Sequence, residues 1–161
     1  MHDALEQVIA EAVPQLRRLC REPWHLIGSA AARLAGADVT VADLDLLTTA
    51  EDAARLAEAW RDRREPAYEP AGADRFRSRF GRFRFAAMPV EVMGALELHA
   101  EQGWEPVTVG ETMSVRVAGV DVPVPSVAEQ IRILESFGRP KDLHRAALLR
   151  ALDRGAEVGA S

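Results

Sequence analysis

The chain of 161 residues has a single cysteine, Cys20, and no apolar run approaching the length of a membrane span. One cysteine cannot form an internal disulfide or supply a zinc site built on paired thiolates. A spanning helix needs about 20 predominantly apolar residues. The first residues carry acids early and lack a basic segment followed by an apolar one, so no signal peptide is expected. These absences favour a cytoplasmic protein without membrane attachment.

Positive charge is scarcer than negative charge: 20 Lys and Arg stand against 25 Asp and Glu, for a formal net charge of −5. This balance disfavours bulk coating of nucleic acid, although a local basic patch is compatible with it. Aromatic residues are only 6%, but hydrophobic residues reach 48% and charged residues 28%. That composition is ordinary for a globular protein and excludes a disordered chain.

Hydrophobic periodicity and turn residues predict short helices and strands in the first half of the chain. A helix over 3–20 contains Pro14, which predicts a kink or a division. We expect a buried strand over 24–27 that enters a tight turn at Gly28-Ser29, then a helix over 30–35. A second strand is predicted over 39–47, a helix from 51 to Trp60, and a polar loop over 61–73.

The second half is predicted to be richer in strands. Arg and Phe alternate from 75 to 85, and the alternation changes phase after Gly81, which predicts a turn or a bulge there. Strands follow over 88–93, 114–117 and 120–124, and Ser126 caps a helix to Phe137. We expect an α+β fold in one domain, 1–154, with a mixed sheet over about 22–125, C-terminal helices over 126–153 and a flexible tail over 155–161.

Three acids stand in predicted apolar strands. Asp43 and Asp45 flank Leu44, and Glu91 lies between Val90 and Val92. Since residues i and i+2 of a strand point to one face, the two aspartates are expected to leave the sheet together. Adjacent carboxylates beside a core are costly unless a cation neutralises them, and Mg²⁺ prefers such oxygens. The sequence therefore predicts a divalent-metal site of Asp43, Asp45 and Glu91.

The Gly28-Ser29 turn precedes these acids and predicts a phosphate-binding element. Glycine allows a phosphate to approach the backbone closely, and the amides at a helix start attract anions. With the metal, this turn would hold a nucleoside triphosphate.

This ordered set resembles the nucleotidyltransferase superfamily typified by DNA polymerase beta. Its signature is a Gly-Ser turn, a short helix, an Asp-x-Asp strand and a third acid on a later strand. The match spans roughly residues 24–93. Arg139-Pro140-Lys141-Asp142-Leu143 is similar to a Lys-Asp helix of small bacterial members, the antibiotic nucleotidyltransferases and toxins of the AbiEii kind.

The resemblance implies a metal-dependent enzyme that moves a nucleoside monophosphate from an NTP, such as ATP, to an acceptor and releases pyrophosphate. Asp43 and Asp45 would hold Mg²⁺ or Mn²⁺, and Glu91 would bind a second ion or act as general base. Gly28, Ser29 and Lys141 would contact the phosphates. The acceptor is left open between a small molecule, RNA and a protein, and so is a homodimer.

Two positions depart from that family. Glu91 stands where aspartate is usual, and Arg145 stands where many relatives carry an acid four residues after the helical lysine. These departures keep an alternative open, a catalytically inactive module that binds a nucleotide or a partner on the same fold.

The Arg–Phe segment over 75–85 allows two interpretations. The simpler one puts the Phe side chains in the core and the Arg side chains in water, and the other makes the arginines a binding strip for an anionic acceptor.

Overall fold

The computed structural model describes residues 3–66 and 72–159, with side chains described as far as Gly155. The helices are α1 (Ala4–Leu19), α2 (Gly28–Leu34), α3 (Ala50–Ala59), α4 (Val127–Phe137) and α5 (Pro140–Gly159). The strands are β1 (His25–Ile27), β2 (Leu44–Thr48), β3 (Phe76–Phe83), β4 (Val90–Ala100), β5 (Gly103–Pro106), β6 (Thr112–Val117) and β7 (Val120–Pro125). The expected α+β fold, a mixed sheet with helices packed on it, is confirmed.

The main sheet has the order β1-β2-β4-β3, and β5 also pairs with β4. The β2–β4 pair is parallel, whereas β1–β2, β3–β4 and β4–β5 are antiparallel. A separate hairpin, β6–β7, closes at Ala118-Gly119 as expected. The parallel pair brings the starts of β2 and β4 to the same edge of the sheet.

The two faces of the sheet are covered differently. Leu44 and Leu46 of β2 pack with α1, α3 and the β6–β7 hairpin in the largest core cluster. The alternate residue Leu47 faces the other side, where Ile133 and Phe137 of α4 pack against it. Because side chains alternate along a strand, Asp45 shares the α4 side with Leu47. The acidic residues therefore lie on the less covered face.

Polar caps fix where three helices begin. The side chain of Asp3 accepts a hydrogen bond from Glu6 N at 2.8 Å, that of Thr49 from Asp52 N at 3.1 Å, and that of Ser126 from Glu129 N at 3.3 Å. Each cap satisfies an amide that the first helical turn leaves without a backbone partner. Pro14 lies inside α1, which continues to Leu19 without the predicted division.

Close packing of α3 on β4 depends on the absence of a side chain at Gly94. A Cβ there would lie 2.5 Å from Ala53 Cβ and 2.9 Å from the Thr49 carbonyl oxygen. We expect Gly94→Ala to lower the free energy of unfolding by about 1–3 kcal/mol, because overpacking forces the backbone apart. Urea unfolding measures this. Gly155→Ala is the control, since nothing lies within 4 Å of a Cβ at that helical position; an equal loss in both variants would contradict the explanation.

Three predictions in the first half of the chain are wrong in their limits. The strand predicted over 39–47 begins only at Leu44, because β1 ends at Ile27, opposite Asp45, and no strand in the described part of the chain pairs with residues 39–43. Asp43 therefore lies in a bend before the strand. Helix α2 starts at Gly28 itself. The predicted loop over 61–73 contains a 3-10 turn, Arg61–Arg63, and its residues 67–71 lie outside the described part.

The expected turn or bulge at Gly81 is also wrong. β3 passes through Gly81 without interruption, and the register shifts earlier, between Arg77 and Arg79. The extra residue is on β4, where Ala95 has φ +53°. β4 runs well past the predicted limit at Met93, and β5 has no counterpart among the predicted strands, because hydrogen bonds from neighbouring strands override weak local signals at Gly94 and Gly103.

The C-terminal helices surround α2. Buried residues of α4 and α5 pack with Ala32 and Ala37 in a cluster of their own. α5 continues to Gly159, beyond the expected end of the helix at 153, and residues 160–161 lie outside the described part. Among the described residues, no helix combines the length and the apolar character needed to cross a bilayer.

Candidate active site

A row of charged residues crosses the sheet near the edge where β2 and β4 begin. Asp45 of β2 is paired with Glu91 of β4, and Glu91 is paired on its other side with Arg82 of β3. Asp43 comes from the bend before β2. One carboxylate oxygen from each of the three acids can be chosen so that all lie within 4.8 Å of one another. The structure thus brings the predicted acids together, although Asp43 is not in a strand.

The Gly28-Ser29 turn lies directly beside Asp45. Gly28 has φ +66°, a conformation that L side chains rarely adopt, and a Cβ there would lie 2.7 Å from Asp45 Oδ2. Glycine is therefore required twice at this position, for its backbone conformation and for the space taken by the carboxylate. Ser29 is buried in the first turn of α2. The turn forms one wall of the acidic site.

The three acids strongly influence one another. Burial, and then the charges of Asp43 and Glu91, raise the pKa of Asp45 well above its usual range. Burial, followed by the charge of Asp43, raises the pKa of Glu91 to about 7, although Arg82 opposes the rise. Such shifts arise because like charges in a poorly solvated place disfavour ionisation. A bound cation would reverse this and keep the three carboxylates ionised.

Arg82 is the nearest cation described at this site. Its Nη1 donates to Glu91 Oε1 at 2.5 Å and lies 3.6 Å from Asp43 Oδ2, while its Nε donates to Glu65 Oε2 at 2.9 Å. The Arg82 side chain is only 19% exposed. It does not face water, as the simple alternation of Phe and Arg suggested, because the strand places it on the acidic face.

Helix α5 contributes at its first turns. Arg145 lies near enough to Asp45 for its charge to favour the ionised carboxylate. Lys141 is exposed one helical turn earlier, so it lies on the same side of the helix. The neighbouring Asp142 is buried and accepts from Arg139 Nε at 2.6 Å and from Arg139 N at 3.2 Å. In the Lys-Asp pair, the aspartate holds the helix start and the lysine is left exposed.

The donor set suits a divalent cation. Three carboxylates supply hard oxygens at short mutual distances, and one side of the group adjoins the Gly28 turn. Mg²⁺ is held in proteins by one or two carboxylates together with water and phosphate oxygens. Asp43 and Asp45 match that requirement.

Comparison with solved structures gives related folds at low sequence identity. TM1012 from Thermotoga maritima, described as a nucleotidyltransferase, superposes with a TM-score of 0.68 and 24% identity over 96% of this chain and 98% of its own. The lincosamide antibiotic adenylyltransferase LnuA superposes with a TM-score of 0.57 and 10% identity, over 90% of this chain and 94% of its own. An antigenic nucleotidyltransferase-like protein from Paracoccidioides brasiliensis superposes with a TM-score of 0.53 and 14% identity, over 92% of this chain and 76% of its own.

The chain has the nucleotidyltransferase fold. This confirms the resemblance inferred from the order of the Gly-Ser turn, the Asp-x-Asp pair and the third acid. No protein-family model matches the sequence, and no curated protein matches it. At these identities the likeness establishes the nucleotidyltransferase fold alone, so the activity has to be argued from the site.

Three residues at the site are not among those that the sequence predicts to be there. Arg82 has a signal in the change of phase after Gly81, which moves the arginines of β3 from one face to the other. Arg145 stands out in the sequence only as a departure from the family pattern. Glu65 gives no signal, because it lies outside any strand or helix and meets Arg82 through tertiary contact alone.

Proposed function

We propose that this protein is a metal-dependent nucleotidyltransferase that moves a nucleoside monophosphate from an NTP to an acceptor group and releases pyrophosphate. The observation that carries the proposal is the convergence of Asp43, Asp45 and Glu91 beside the Gly28 turn, on a nucleotidyltransferase fold. Carboxylates in this arrangement serve phosphoryl-group chemistry, in which positioning and charge neutralisation supply most of the rate.

Asp43 and Asp45 hold a divalent ion, Mg²⁺ or Mn²⁺, which when bound neutralises charge on the triphosphate. Gly28 lets a phosphate approach the backbone, and the amide of Ser29 donates to it at the start of α2. Lys141, exposed at the first turn of α5, reaches the phosphates from the helix side. Each group places positive charge or a donor where negative charge develops.

Glu91 takes one of two roles, as a ligand of a second ion or as the base that removes the proton from the acceptor hydroxyl. Its position between Asp45 and Arg82 puts it beside the proposed metal ligands, which is compatible with both roles.

The acceptor is proposed only as a class. LnuA is by name an adenylyltransferase of lincosamide antibiotics, which favours small molecules as the first candidates. RNA and protein hydroxyls are the other candidates, and self-association as a homodimer is compatible with each.

The direct test incubates the protein with each α-labelled NTP, Mg²⁺ and cell extract, and identifies the labelled product by mass spectrometry. We expect label to enter an acceptor with the wild type and not with Asp43→Asn. Metal-dependent binding of NTP without transfer to any acceptor would instead support the inactive binding module. The cation Arg145, close to the acids, is the specific observation that favours this second candidate.

Lys141 gives a separate test of phosphate contact. We expect Lys141→Ala to weaken NTP affinity about tenfold, as loss of one charged hydrogen bond of roughly 1.5 kcal/mol requires, and to leave the thermal transition unchanged. Isothermal titration calorimetry and circular dichroism measure the two quantities. Arg150→Ala is the control, because Arg150 lies on the same helix and pairs with Glu135. Unchanged affinity in Lys141→Ala would assign the lysine to the solvated surface.

A further inference from the structure

Arg82 is held on three sides by carboxylates. Glu65 fixes its Nε at 2.9 Å, and its Nη1 lies between Glu91 Oε1 at 2.5 Å and Asp43 Oδ2 at 3.6 Å. With side chains only 19% and 12% exposed, Arg82 and Glu91 form a pair largely removed from water. A guanidinium anchored at two of its nitrogens has a defined orientation. Its charge is therefore placed at the Glu91 side of the acidic group.

This placement divides the site into two sides. On the turn side, Asp45 adjoins Gly28, and one of its carboxylate oxygens lies within 4.8 Å of an oxygen of Asp43. On the β3 side, an ion bound by both Glu91 and Asp43 would have oxygens at about 2.0–2.1 Å. The Nη1 of Arg82 already lies between one oxygen of each carboxylate, Glu91 Oε1 and Asp43 Oδ2. Two cations cannot share that space, because their charges repel and their radii overlap.

The sum of the charges at the site also argues against a second ion. Asp43, Asp45, Glu91 and Glu65 supply four negative charges, and Arg82 and Arg145 supply two positive ones. The formal sum of −2 is balanced by one divalent ion. Before a triphosphate binds, a second ion would leave this group with a net positive charge in a half-buried place, which is costly.

We infer that this site binds a single divalent ion, on Asp43 and Asp45, and that the guanidinium of Arg82 occupies the place of a second ion beside Glu91. The inference rests on the proposed function. Arg82 is then a positioning residue: it orients Glu91, keeps it off the metal and leaves its second oxygen to accept the proton of the acceptor hydroxyl. Glu65 in turn positions Arg82.

The experiment counts metal ions by electron paramagnetic resonance. Mn²⁺ is titrated into the protein with and without a non-hydrolysable NTP analogue. Paired ions in two-metal sites lie about 3.5–4 Å apart and give a spin-coupled spectrum, whereas a single ion gives isolated hyperfine lines. We expect one uncoupled Mn²⁺ per chain in the wild type and in Arg82→Lys, which keeps the charge. In Arg82→Gln we expect two coupled ions.

Two further variants make the outcomes separable. Arg79→Gln is the matched control, an exposed arginine of the same strand, and it should keep one ion. Asp45→Asn should lose it. A coupled pair in the wild type, or a single ion in a folded Arg82→Gln, would overturn the one-ion inference and leave the proposed function standing. Absence of any Mn²⁺ that depends on Asp45 would overturn both. Circular dichroism confirms that each variant is folded.

Discussion

Asp45→Asn should abolish nucleotidyl transfer and the response of stability to metal, while making the metal-free protein more stable. Loss of a group that stabilises transition-state charge lowers rates by about 100- to 1,000-fold. In the wild type, Mg²⁺ or Mn²⁺ at a hundredfold excess over Kd should add about 2.7 kcal/mol to the free energy of unfolding. Asp45→Asn should show neither transfer activity nor this metal-dependent gain in stability, because half of the aspartate pair is gone.

The gain in metal-free stability follows from the direction in which the pKa of Asp45 moves. Burial and the charges of Asp43 and Glu91 raise this pKa, so the folded state binds the proton more tightly than the unfolded state. Stability is therefore lost as pH rises from the unfolded pKa, about 3.9, to the folded one, and each pH unit in that interval costs roughly 1.4 kcal/mol. Asparagine removes this loss. Thermal unfolding in EDTA across pH 4–9 measures it.

Asp38→Asn is the matched control for charge, since Asp38 is exposed in the loop before β2. It should change neither transfer nor the pH dependence. If Asp45→Asn and the wild type respond to Mg²⁺ alike, the ion binds elsewhere, and the proposed centre is rejected.

Asp52→Ala should cause the largest loss of stability that we expect from a residue outside the site. The Asp52 side chain is fully buried and accepts from Arg21 N at 3.0 Å, from Glu22 N at 2.8 Å and from Arg55 Nη1 at 2.5 Å. It fastens the segment after α1 to the start of α3. Removing it leaves two backbone donors without their partner, at a cost of about 2–4 kcal/mol. Urea unfolding measures the loss.

The acid side of the stability curve provides a second check on Asp52. Burial raises its pKa, but the amides of Arg21 and Glu22 and the Arg55 guanidinium outweigh burial, so the pKa lies below its ordinary value. Its contribution is present above the unfolded pKa and is lost as pH falls through the folded one. Asp52→Asn should reduce the loss of stability that accompanies falling pH on the acid side. Glu58→Ala, which removes an exposed pair with Arg61, should cost less than about 0.5 kcal/mol; a larger loss there would contradict the comparison.

The order of motifs along the chain is sufficient to predict the fold and to name the acids. Asp43 and Asp45 flank an apolar residue that must be buried, and Gly28 interrupts an apolar strand, so each carries a local signal. Capping residues such as Ser126 likewise act within one helical turn and predict where a helix begins. These features depend on periodicity and nearest neighbours, which a single sequence contains.

Strand limits and the register required the folded chain. β2 begins at Leu44 because β1, its partner on one side, has only three residues, and β4 extends to Ala100 because β3 and β5 supply hydrogen bonds beyond Met93. Strand limits of this kind depend on hydrogen bonds between segments far apart in sequence. No local pattern contains them.

The charged groups at the site also separate into those that the sequence predicts and those that only tertiary contacts place there. The sequence by itself determined that three carboxylates stand in or beside apolar segments, and it predicted, through the resemblance to nucleotidyltransferases, that they share one site. Only the tertiary structure decided that Arg82 lies between Glu91 and Asp43, that Glu65 holds it, and that Arg145 approaches Asp45. Pairing of strands and packing of α5 bring these groups near enough for their charges to interact, and electrostatic interactions depend on distance in space rather than on separation along the chain.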